Sequence, residues 1–61
     1  MIDATLARIL VVEDNKDLAL GLRVNLEERH YQVRVASTAS EGLARARTFR
    51  PDLMILDLGL P

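Results

Sequence analysis

Three acidic residues stand where a chain could use them for chemistry. The pair Glu13-Asp14 directly follows the apolar run Ile9-Leu10-Val11-Val12, and Asp57 directly follows Leu53-Met54-Ile55-Leu56. Carboxylates gathered without a counter-charge repel and raise one another's pKa. A hard divalent cation resolves the conflict, and oxygen ligands at an open site suit magnesium. A carboxylate beside magnesium is also equipped for phosphoryl transfer, because the metal neutralises charge on the transferring group while the carboxylate attacks. Each piece alone has a plainer reading: Glu13-Asp14-Asn15 as helix caps, Asp57 as a turn residue. Their joint placement, each closing an apolar run, favours a site, provided the elements that carry them converge.

Those elements alternate between two textures. Arg8-Ile9-Leu10-Val11-Val12 is a short, continuous, β-branched run, the pattern of a strand buried on both faces. Lys16 to Arg29 reads as a helix, with Leu18, Leu22 and Leu26 in one stripe beside Ala19. Asn15 or Asp14 can cap its start, Gly21 weakens it by about 1 kcal/mol relative to Ala, and Arg29 and His30 close it where cations suit the dipole. Tyr31 to Ala36 alternates apolar and polar, as an edge strand with one wetter face does. Thr38-Ala39-Ser40-Glu41 fits a capping box for a second helix running to about Phe49, with Ala39, Leu43 and Ala46 as its buried stripe. Arg45, Arg47 and Arg50 fall mostly on its wet side, and Pro51 stops it. Leu53 to Leu56 is a third strand, with Met54 read as core, and Gly59 and Pro61 mark the loop that follows.

Strands alternating with helices imply an α/β fold, βαβαβ, with a parallel sheet. Right-handed crossovers and the wetter second strand give the spatial order 2-1-3. The chain leaves strand one in one direction and returns past it in the other. The reversal opens a crevice at the carboxyl ends of strands one and three, where open α/β sheets bind ligands. Glu13, Asp14 and Asp57 should meet there.

Composition narrows the classes. Eight basic and nine acidic residues nearly cancel, which gives no electrostatic footprint for nucleic acid. With no cysteine, disulfides and thiolate zinc sites are excluded. The 49% hydrophobic content argues against disorder, and with Tyr31 and Phe49 the only aromatics the core must be aliphatic. No apolar run approaches the roughly 20 residues needed to cross a bilayer, and the first residues do not read as a secretory signal. A cytoplasmic protein with no membrane contact is expected. His30 lacks a second His or Cys to share a metal and reads as a helix-end residue. Thr38 and Ser40 read as capping groups before modification sites. A nucleotide or flavin module is disfavoured, because strand one runs into Glu-Asp-Asn-Lys-Asp with no glycine-rich loop.

Ile9-Leu10-Val11-Val12-Glu13-Asp14-Asn15 resembles the first strand and acidic pair of the receiver domains of two-component response regulators. Pro51-Asp52-Leu53-Met54-Ile55-Leu56-Asp57-Leu58-Gly59-Leu60-Pro61 resembles their phosphoacceptor strand and loop, including the proline four residues after the aspartate. The resemblance runs from about Arg8 to Pro61, so residues 1–61 read as one receiver segment. It implies a partial flavodoxin-like fold, Asp57 as the residue phosphorylated by a histidine kinase, and a magnesium site. In that site Asp14 would bind directly, Glu13 through water, and Gly59 through its backbone carbonyl. A regulatory phosphoacceptor is implied more than an ordinary enzyme, although the family catalyses its own phosphorylation. The loop from Asp57 to Pro61 also resembles receivers joined to winged-helix DNA-binding domains, which implies a transcription factor whose DNA contacts lie in an output domain outside these residues.

The family pattern has about five strands in the order 2-1-3-4-5. Its switch Ser or Thr on strand four, and its phosphoryl-pairing Lys on strand five, have no counterpart in these 61 residues. Phosphorylation by this chain alone is therefore expected to be impaired. Strand three, normally central, would be an apolar edge open to another chain, so a homo-oligomer through that strand is expected. The competing reading is a truncated, self-associating half-domain without phosphotransfer.

Overall fold

A computed structural model of the chain describes residues 7–56. The elements follow in the order β1 (Arg8–Val12), α1 (Lys16–Glu28), β2 (Gln32–Ala36), α2 (Ala39–Phe49) and β3 (Leu53–Leu56). The strands form one parallel sheet in the order β2-β1-β3. This is the α/β arrangement with the order 2-1-3 expected from the alternation of textures, and it agrees with the partial flavodoxin-like fold that the resemblance implies.

Each helix covers one face of the sheet, because successive side chains of a strand point to opposite sides. On one face Ile9, Val11 and Val33 are buried beneath Leu22 and Leu26 of α1, with Tyr31, Val35 and Ile55 packed beside them. On the other, Leu10, Val12 and Ala36 are buried beneath Ala46 and Phe49 of α2. The Arg34 guanidinium lies 4.9 Å from the centre of the Phe49 ring and roofs that second cluster.

Local signals set the helix ends. The Asn15 side chain accepts from the Leu18 N–H at 3.0 Å, which makes Asn15 the cap of α1. The Thr38 hydroxyl accepts from the Glu41 N–H at 3.1 Å and caps α2. The expected box is shifted by one residue: the Glu41 carboxylate reaches back to the N–H and hydroxyl of Ser37. At the end of α1, His30 adopts a left-handed φ of 72°. Its N–H donates to Glu27 O, and the Tyr31 N–H donates to Leu26 O. That is a Schellman closure with histidine in the place usually given to glycine, and Leu26 and Tyr31 seal it by packing on the same cluster. Arg50, at φ 54°, ends α2 before Pro51.

Three expectations about packing are corrected. Leu43 is 65% exposed and Ala39 is also exposed, so the inner face of α2 runs instead through Gly42, Ala46 and Phe49. The phase differs because Gly42 sits against the sheet: a Cβ there would come within 2.8 Å of a Val12 methyl. Leu18 is exposed, so the inner face of α1 is Ala19, Leu22 and Leu26. Met54 is 37% exposed, because β3 has β1 as its one neighbour among the described residues.

Candidate functional site

The acidic pair is set by β1. The β1–β2 ladder continues one step past the strand through the Glu13 N–H, which donates to Ala36 O at 2.9 Å. Glu13 is therefore held as firmly as the strand itself, and it is 4% exposed. Its Oε2 accepts from the Asn15 N–H at 3.1 Å. A carboxylate is tolerated at such depth only when hydrogen-bonded. Asp14, one residue on, is exposed. The pair thus combines a fixed, buried carboxylate with a solvent-facing one at the start of α1.

β3 is in register with β1 from Ile9↔Leu53 to Val12↔Leu56. The strand that leads to Asp57 therefore ends level with the strand that leads to Glu13. Asp57 and Gly59 themselves lie outside the described residues. Among the described residues there is no group of three or more His, Cys, Asp or Glu that could hold a metal. The same is true of membrane spans: none of the described helices is long and apolar enough to cross a bilayer.

A small groove opens beside Glu13, lined also by Lys16, Arg23, Val35 and Ser37. Lys16 and Ser37 were not singled out in the sequence. The register that brings the start of α1 beside the end of β2 is what places them there. A wider groove lies at the opposite, amino end of the strands, where Arg8, Arg47, Arg50 and Asp52 surround exposed Leu53 and Met54.

The family described as the response regulator receiver domain matches residues 9–61. The chain is 47% identical over 53 residues to the transcriptional regulatory protein KdpE of Mycobacterium tuberculosis, which covers 87% of this chain and 24% of that protein. It is 44% identical over 54 residues to the alkaline phosphatase synthesis transcriptional regulatory protein PhoP of Bacillus subtilis, covering 88% and 22%. It is 45% identical over 56 residues to the KDP operon transcriptional regulatory protein KdpE of Escherichia coli, covering 92% and 25%. The chain spans about a quarter of the length of these curated relatives. No solved structure gives a significant match. The parallel order β2-β1-β3, the acidic pair closing β1 and the family match together show that the chain belongs to the response regulator receiver domain family.

Proposed function

We propose that residues 1–61 form a receiver segment whose Asp57 accepts a phosphoryl group from a phosphohistidine of a sensor histidine kinase in the cytoplasm. The observation that carries this reading is the Glu13-Asp14 pair at the carboxyl end of β1, level with the end of β3 through the Val12↔Leu56 register. Asp57 is the next residue in the sequence. In the reaction a carboxylate oxygen of Asp57 attacks phosphorus, the P–N bond to the donor imidazole breaks, and the imidazole departs with its electron pair and takes up a proton.

The donor chemistry fits a divalent cation: a buried carboxylate held by a backbone N–H and an exposed one beside it are both hard oxygen donors. Glu13, Asp14, Asp57 and the Gly59 carbonyl would hold magnesium, which when bound supplies charge neutralisation around the phosphoryl oxygens. The chain's own part is positional. The β1–β2 ladder fixes Glu13, and the Asn15 N–H orients its carboxylate. The relatives are transcriptional regulators by name. In this reading the chain is a regulatory module, and DNA is contacted only by an output domain outside residues 9–61.

The test is intact mass after incubation with magnesium and acetyl phosphate, with Asp57→Asn alongside. Gain of one phosphoryl group in the parent chain and none in the variant supports the reading. No gain in either leaves the second reading, a self-associating segment without phosphotransfer. That alternative draws on β3 having β1 as its one neighbour among the described residues.

A further inference from the structure

Backbone groups along a strand alternate between its two edges. The Gln32 N–H donates to Ala7 O and the Glu13 N–H to Ala36 O, so the odd-numbered positions of β1 and its flanks face β2. Arg8, Leu10 and Val12 therefore turn their N–H and C=O groups toward β3. The first of these donors, the Arg8 N–H, goes to the side chain of Asp52, whose Oδ2 accepts it at 2.8 Å. The Arg8 carbonyl in turn accepts from the Asp52 N–H at 2.7 Å. One residue thus holds both backbone groups of Arg8, and its carboxylate makes the charge-assisted, stronger kind of hydrogen bond.

The rest of β3 says little about where the strand should lie along β1. Leu53, Met54, Ile55 and Leu56 are all apolar and similar in size. A slip of one residue would turn every side chain to the other face. Yet it would only put Met54 or Leu56 where Ile55 now packs on the cluster of Ile9, Val11 and Val33. Alternation fixes register in a half-polar strand and is silent in this one. Asp52 is the polar residue at the strand's start, and its bond is specific to position. The slip would carry its carboxylate about 3.3 Å along β1 and to the opposite face, out of reach of the Arg8 N–H.

We propose that Asp52 is a positioning residue: its hold on Arg8 selects the register from Ile9↔Leu53 to Val12↔Leu56, and so the level at which Asp57 meets Glu13 and Asp14. Carried one step past Val12↔Leu56, that register sets position 57 opposite Glu13. A slip of one residue would set position 56 or 58 there, both leucine, and turn Asp57 to the other face. The carboxylate that starts β3 thereby governs the one that follows its end. The register stands on the bonds of Arg8 and Asp52; its meaning for the site rests on the phosphoacceptor reading.

Cross-strand nuclear Overhauser contacts in the isotopically labelled chain read the register directly. The parent should show one set, pairing Leu10 with Met54 and Val12 with Leu56. Asp52→Ala should add a second set offset by one residue. Asp52→Asn should restore the single set, because its carbonyl oxygen can accept the same bond without the charge. Shifts of the Asp14 amide during a magnesium chloride titration read the consequence. Asp52→Ala should weaken the apparent affinity by about tenfold, as loss of an orienting partner does, and Asp52→Asn should keep it. Val33→Ala, on β2 and across β1 from Asp52, is the control. It should lower the urea midpoint and leave register and magnesium affinity as they were. If circular dichroism shows Asp52→Ala unfolded, Asp52→Glu takes its place, with the carboxylate one methylene further out and the same two effects expected. A single, unshifted register in Asp52→Ala, an equal loss of magnesium affinity in Val33→Ala, or failure of Asp52→Asn to rescue would each overturn the proposal. A parent chain that takes up no magnesium counts against the phosphoacceptor reading instead, and the cross-strand contacts then decide this proposal by themselves.

Discussion

Two glycines of similar appearance in the sequence have opposite roles. A Cβ on Gly21 would meet nothing within 4 Å, so Gly21→Ala should stabilise the chain by about 1 kcal/mol through helix propensity alone. A Cβ on Gly42 would lie 2.8 Å from a Val12 methyl and 3.8 Å from the Ala36 Cβ. Gly42→Ala should therefore destabilise by about 1–3 kcal/mol despite the better propensity, because α2 must lift off the sheet. Urea denaturation of the two variants checks the contrast. Gly42 was invisible as a contact residue because its role depends on the depth at which α2 seats over β1, which no local pattern encodes. The same fact displaced Leu43: a periodicity search weights leucine above glycine and rotates the helix to bury it, whereas the closest approach is at the residue with no side chain. The place of Glu13 and Asp14 at the end of β1, by contrast, was legible, because an acidic pair closing a wholly apolar run marks where the strand stops. The burial of Glu13 was not, since it follows from the bond to Ala36 O across the sheet.

At the scale of elements, boundaries were legible wherever a side chain or proline defines them: Asn15 and Thr38 at helix starts, Pro51 after α2. The end of α1 was less so, because His30 rather than glycine takes the left-handed position. The start of α2 carries a pH dependence. Hydrogen bonds from Ser37 and then from Arg45 hold the Glu41 carboxyl below its ordinary range. A depressed folded pKa contributes stability that is present above the unfolded value and is lost as pH falls through the folded one. The helical signal of α2 should therefore weaken on acidification below the ordinary carboxylate range, and Glu41→Gln should remove that part of the response. Circular dichroism of the two chains across that window measures it. Because Glu41 faces solvent, the same response should shrink at high salt.

For the whole molecule, β1 is shared by both cores: Ile9 and Val11 belong to one, Leu10 and Val12 to the other. Amide exchange should accordingly be slowest in β1, where backbone pairs on both sides lie under two apolar layers. The strand order was legible because right-handed crossovers, with the alternating strand at an edge beside a wholly apolar one, leave few allowed arrangements. The exposure of Met54 was not, since an apolar run reads as buried whether or not the sheet supplies a neighbour on its far side. One small feature governs when the fold can be completed. Arg8 and Asp52 clasp each other twice, through Arg8 N–H to Asp52 Oδ2 and Asp52 N–H to Arg8 O, across a separation of 44 residues. During synthesis α1 can wind and β2 can settle against β1 while β3 is still unmade, but the strand that covers the other edge of β1 is the last described one. Closing so distant a pair is slow compared with winding a helix. On a growing chain the outer edge of β1 therefore stays bare until the clasp shuts beside it.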